Sequence, residues 1–141
     1  MLQFNPSAVE ILDKVVIDLS RENLMTKRHC HFIEGNPAAI LIVEFYGDTS
    51  EDVTQRAEAM IADQKSRNYG YAYPLFPDGS DYDDVWVVRK KGLGLMLGMK
   101  GDKKPLPFIE DAGIPSEHLP EYIDRVLQVC KKQGTEVAMY A

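Results

Sequence analysis

Cysteine is scarce in this chain of 141 residues: Cys30 and Cys130 are the two, far apart in sequence. Neither belongs to a C-x-x-C pair, which argues against a disulfide framework or a zinc ribbon. A reduced, cytoplasmic setting suits them. Positive charge is short as well, with 16 Lys and Arg against 22 Asp and Glu and a net charge of -6. No basic face is on offer for nucleic acid. No apolar run reaches the roughly 18 to 20 residues that a membrane span needs. The first six residues lack the charged and apolar regions of a signal peptide. No internal repeat or low-complexity linker interrupts the chain. What is present, 45% hydrophobic residues over this length, suits one compact α+β domain with a core of its own.

The order of elements follows from periodicity and punctuation. Ser7 and Glu10 read as an S-x-x-E capping box opening a helix, with Val9, Leu12, Val16 and Leu19 at helical spacing. Residues 21–34 are polar and irregular. Residues 37–46 form a continuous apolar, β-branched run that reads as a buried central strand. Thr49 or Ser50 then caps a helix to about Arg67, with Val53, Ala57, Met60 and Ile61 on one face. Residues 69–75 read as a second strand, closed by the turn signal Phe76-Pro-Asp-Gly79. For residues 81–99 a helix is expected, with Val85, Val88, Gly92 and Leu95 along one stripe. Its glycines suggest close packing, since each weakens the helix by up to about 1 kcal/mol. A third strand is expected over 104–112. Ser116 would then cap an amphipathic helix bearing Leu119, Tyr122, Ile123, Val126, Leu127 and Cys130, with Gly134 at its end. A last strand over 137–140 completes a β-α-β-α-β-α-β order after the leading helix. The fold expected is a ferredoxin-like sandwich: an antiparallel sheet with helices on one face, an inserted helix and an extra N-terminal helix.

Four groups of residues could carry chemistry. The glycines at 92, 94, 98 and 101 tempt a phosphate-loop reading, but their spacing is neither G-x-G-x-x-G nor G-x-x-x-x-G-K-[ST]. Packing is the better reading. His29-Cys30-His31 offers metal-capable atoms; without a local further ligand, solvated surface histidines are expected and no metal site. Arg89, Lys90 and Lys91 with Lys100, Lys103 and Lys104 form the sharpest cluster. Arginine grips a carboxylate in two prongs and lysine adds a point charge, so a small anion suits the group; Lys90, Lys100 and Lys103 are expected to be merely solvated. Glu110 and Asp111 are neighbours on an expected strand and face opposite sides, so paired-carboxylate acid–base chemistry is not supported.

Three stretches together resemble a known family: residues 7–14 with 18–23, residues 85–95 through 101–105, and residues 108–115 with 119–123. They are similar to the C-terminal domain of FAD-linked oxidases, the family holding D-lactate, glycolate and D-2-hydroxyglutarate dehydrogenases, and most of all to long members fused to iron–sulfur modules. The resemblance implies a cap over a flavin held mainly by a separate domain, which hands electrons from a small anionic 2-hydroxy acid such as D-lactate to another acceptor. It implies FAD in the parent protein and an iron–sulfur cluster as an option there, with neither in this piece. It places Arg89, in the W-x-x-R segment, at the substrate carboxylate, with Lys104 as a second anion contact and Glu110 at the site rim. The flavin-binding domain is expected before residue 1 and a histidine-bearing segment after Ala141, so the piece alone is expected to be inactive. The apolar ending at residues 136–141 suits a piece cut at a domain boundary. The setting implied is cytoplasmic, with the electron acceptor as an optional link to a membrane surface. The alternative is a stand-alone ferredoxin-like module that binds a small ligand or a partner. An apolar open sheet face would also let the isolated domain self-associate.

Overall fold

The computed structural model describes residues 1–77, 80–102, 105–109 and 112–139. Its elements run β1 (Ala8–Asp13), α1 (Lys14–Glu22), β2 (Ala39–Glu44), α2 (Ser50–Ser66), α3 (Ser80–Leu97) and α4 (Leu119–Lys132), with single 3-10 turns at Leu2–Phe4 and Lys27–His29. The class is α+β, and β1 pairs antiparallel with β2 in a register that runs from Ala8 opposite Glu44 to Asp13 opposite Ala39.

The start of the chain corrects the expected leading helix: residues 8–13 form a strand, and the helix begins only at Lys14. Val9 and Ile11 are β-branched and find a ladder partner in the apolar run of β2, and that non-local pairing overrides the local periodicity. Ser7 caps nothing; its hydroxyl accepts from the Tyr46 amide at 2.9 Å. The cap is Asp13, in extended conformation, whose Oδ1 accepts from the Val16 amide at 3.2 Å. Its Oδ2 accepts from the Met139 amide at 2.6 Å, and its own amide donates to the Met139 carbonyl at 3.3 Å. One side chain therefore ends the strand, starts the helix and fastens the tail. Asp13→Ala is expected to cost about 1–2 kcal/mol, read as a lower urea midpoint with an unchanged slope; an unchanged midpoint would mean that neither bond contributes.

Other expectations also shift. Thr49 is the cap of α2, accepting from the Asp52 amide at 3.2 Å. Ser116 is not the cap of α4; that position is His118, which makes no side-chain cap bond and is followed by Pro120 in the first helical turn. Residues 116–118 are spent in a turn whose His118 amide donates to Pro115. Gly134 closes α4 with φ +67°, where a Cβ would be strained. Residues 69–75 form no strand: Tyr71 donates its hydroxyl to the Glu34 carbonyl at 2.9 Å, and Tyr73 donates to Tyr69 and Gly70. Those contacts and Gly70 at φ +84° curl the segment. Among the described residues two strands are present, so the four-strand sandwich is not reached; the described parts of 104–112 and 137–140 carry none.

The core lies between the inner face of the sheet, α1 and α3. Leu12, Val16, Ile17 and Val88 are at or near zero exposure, and Phe32, Ile33, Val85 and Met96 close around them. Ile40 and Ile42 pack onto this cluster from β2. Cross-strand partners share a face, so Val9, Ile11, Leu41 and Val43 lie on the other side, where Val9 and Leu41 are exposed.

Candidate functional site

Helix α3 lies over the inner sheet face and presents Tyr82, Trp86 and Arg89 at i, i+4 and i+7, one stripe of a helix. The inner face answers with two carboxylates, Glu10 on β1 and Glu44 on β2. Arg89 donates through Nε to Glu10 Oε2, and both side chains are 23% exposed. Tyr82 donates its hydroxyl to Glu44 Oε1 at 2.9 Å, and its ring meets Trp86 edge-on with centroids 6.3 Å apart. The hydrogen bond to Glu44, with some help from burial, pushes the Tyr82 phenol above its ordinary range. A partly buried ion pair of this kind fixes the guanidinium plane, and it also ties α3 to β1.

Beside the stripe, α2 stands off β2 and leaves a groove of about 670 Å³. Ile40 and Ile42 of β2, Met60 and Gln64 of α2, and Tyr82 and Trp86 of α3 are among the residues that line it. The volume falls in the range of small-molecule sites. Arg89 does not line it. Lys90 and Lys100 are exposed, while Lys104, Glu110 and Asp111 lie outside the described residues. Of the expected substrate contacts, then, the structure locates Arg89. It also supplies a partner, Glu10, whose place in an S-x-x-E pattern points to a helix cap instead.

The glycine stretch is not an anion loop. Residues 92–97 lie within α3, so their amides are spent on the helix. An added Cβ at Gly94 meets nothing within 4 Å, and at Gly98 it meets the Gly94 carbonyl at 3.2 Å. The close packing expected of these glycines is therefore absent at Gly94. A flavin needs backbone donors around its pyrophosphate, and the described residues of this stretch offer no such cradle; they do not fit FAD.

The histidines are not isolated. His29 Nδ1 lies 2.5 Å from Asp84 Oδ1, His31 Nε2 lies 2.9 Å from Asp81 Oδ1, and His31 Nδ1 lies 3.4 Å from Asp84 Oδ2. They stand on a 3-10 turn and the loop after it, not on a strand. Asp81 and Asp84 sit three apart on the first turns of α3, a spacing visible in the sequence but not assignable to His29 and His31 across fifty residues. Among the described residues no group of three or more His, Cys, Asp or Glu could hold a metal ion. Cys30 and Cys130 are both buried and free, and burial pushes the Cys30 thiol upward. Among the described residues no helix is long and apolar enough to cross a membrane.

The model of the family described as FAD linked oxidases, C-terminal domain, matches residues 2–141. The chain is 30% identical over 151 residues to a D-2-hydroxyglutarate dehydrogenase of Pantoea ananatis, covering 99% of this chain and 15% of that protein. It is 28% identical over 151 residues to the Escherichia coli protein of the same name, again covering 99% and 15%. With the Haemophilus influenzae protein of that name it shares 27% identity over 149 residues, covering 99% and 14%. The chain thus spans about one seventh of the length of these relatives. No solved structure matches it.

Proposed function

Because the chain belongs to the family of FAD-linked oxidase C-terminal domains, we propose that it is the substrate-side domain of an FAD-dependent dehydrogenase that oxidises a D-2-hydroxy acid. The observation that carries this reading is the likeness, along nearly the whole chain, to proteins named D-2-hydroxyglutarate dehydrogenase. The flavin, held by other parts of the polypeptide, would supply the hydride acceptor. This domain's share is to aim a cation so that the acid's carboxylate fixes the α-carbon, a positioning effect worth several kcal/mol of barrier.

Arg89 is the cation we assign to that task; Lys104 and Glu110 join it in the assignment on the strength of the family resemblance. Its pairing with Glu10 supports a pre-set guanidinium plane, which a carboxylate approaching in its own plane would exploit. The same ion pair also favours a second reading, in which Arg89 is a strut between α3 and β1 and touches no substrate. Exposed Val9 and Leu41 on the open sheet face support self-association of the isolated domain. An iron–sulfur centre elsewhere in the parent would suit the onward passage of electrons.

The test is turnover of the full-length protein with an artificial electron acceptor. D-2-hydroxyglutarate, D-lactate and glycolate are offered in turn, with the L antipodes of the chiral acids as controls. One D acid is expected to support reduction while its antipode does not. Silence with all of them would remove the reading.

A further inference from the structure

The sequence singles out His29-Cys30-His31, and nothing in the proposed reaction uses it. In the fold this tripeptide closes the loop 27–33 against the first turns of α3, fifty residues away. The hydrogen bonds distinguish the two rings. Arg28 Nε donates to His29 Nε2 at 2.9 Å, which requires a lone pair there, so the ring proton sits on Nδ1 and is donated to Asp84. His31 is different: one ring nitrogen faces Asp81 and the other faces Asp84.

A neutral imidazole has a single N–H and can satisfy only one carboxylate; its other nitrogen would turn a lone pair toward the second. An imidazolium donates at both ends and adds attraction to two negative charges. From α3 the groups facing the loop are Asp81 and Asp84, and from α1 it is Arg21, which donates to the Ile33 carbonyl at 2.9 Å. From its own side they are His29, Arg28 and the buried Cys30 thiol, with the Phe32 ring edge-on to His31 at 6.4 Å.

We propose that loop 27–33 and the first turns of α3 form a proton-operated latch: protonated His31 clasps Asp81 and Asp84 together, and neutral His31 lets the start of α3 loosen. The position of the latch gives it something to control. Phe32 and Ile33, next to His31, and Tyr82, Val85 and Trp86, next to the two aspartates, all line the 670 Å³ groove. Opening the latch loosens part of the lining of that groove and the helix that carries Arg89. The inference does not depend on the proposed reaction.

The hydrogen bond that His31 donates to Asp81 raises the pKa of His31 above its ordinary value. A group whose folded value is raised stabilises most below its unfolded value, roughly 6.5, and that stabilisation fades as pH rises through the folded value. The latch is therefore shut in mild acid and open in mild alkali. His31 and Asp81 are 49% and 53% exposed, so solvent and salt screen the pair and its effect is modest.

Amide hydrogen exchange in the full-length protein tests this, followed by mass spectrometry and corrected for the intrinsic pH dependence of exchange. In the wild type, peptides covering 27–33 and 80–88 are expected to lose protection together, by roughly two- to five-fold, as pH rises from about 5.5 to about 8.5. A peptide from α4 should not change. His31→Ala should be weakly protected at every pH, and His31→Lys, a permanent cation, should be protected at every pH. Protection that does not vary with pH in the wild type overturns the proposal, and so does a pH dependence that survives in His31→Ala.

Discussion

If the proposed function holds, Arg89→Ala in the full-length protein lowers kcat/KM for the hydroxy acid by about two orders of magnitude while flavin content stays at the wild-type level. The magnitude follows from the bond to the substrate carboxylate that the proposal assigns to the Arg89 guanidinium. A charge-assisted hydrogen bond is worth about 1.5–3 kcal/mol, more where two prongs act together in a site shielded from water. Flavin content is expected to stay because the glycine stretch that follows Arg89 lies largely within α3, with its amides spent on the helix. The substitution also strands Glu10, a carboxylate only 23% exposed, so some stability falls with the activity. Glu10→Gln separates the two roles. If Arg89 meets substrate, Glu10→Gln lets the guanidinium wander and raises KM by less than Arg89→Ala does. If Arg89 is only a strut between α3 and β1, the two variants lose similar stability and both keep their kcat/KM. Loss of flavin in Arg89→Ala would give the residue a different task altogether.

Leu12→Ala carries the second large effect, on stability. Leu12 is wholly buried at the point where β1 passes into α1, and it packs with Val16, Ile17 and Val88. Removing a buried leucine to alanine costs about 2–5 kcal/mol, set by how far the neighbours can collapse into the space. Two helices and a strand meet there, so little collapse is open to them, and the upper half of that range is expected. Against a total stability of about 5–15 kcal/mol, this is a large fraction. Urea denaturation of the domain should show the midpoint falling with the slope unchanged. Leu41→Ala, on the open face of β2 at 48% exposure, should stay within about 0.5 kcal/mol. Equal losses at the two sites would mean that the sheet buries its other face.

Legibility of the fold from sequence depends on range. Helices α2 and α3 are legible because Thr49 marks the start of one and the stripe through Val85 and Val88 runs along the other. Helix α4 is legible through its apolar stripe and Gly134, although Ser116 misses the cap by two positions. Residues 8–13 are not, because Leu12, Val16 and Leu19 keep helical spacing across a strand–helix junction. What makes 8–13 a strand is a partner some thirty residues on, and Asp13, not Ser7, holds the cap. Residues 69–75 look like a strand by composition, but tyrosine hydroxyls and Gly70 spend them on local turns. The site shows the same limit. The W-x-x-R segment draws attention to Arg89, yet nothing local points to Glu10, 79 positions away. The pairing of His31 with Asp81 and Asp84 is equally out of reach, since a side chain's partners across fifty residues are decided by packing.

The functional proposal rests on one claim, that the chain is part of a flavoenzyme acting on a D-2-hydroxy acid. Anaerobic mixing of the full-length protein with D-2-hydroxyglutarate, watching the flavin's visible absorbance, tests it in a single turnover. The expected result is saturable bleaching that the L isomer does not produce. A flavin that keeps its colour with this acid, with D-lactate and with glycolate would contradict that claim.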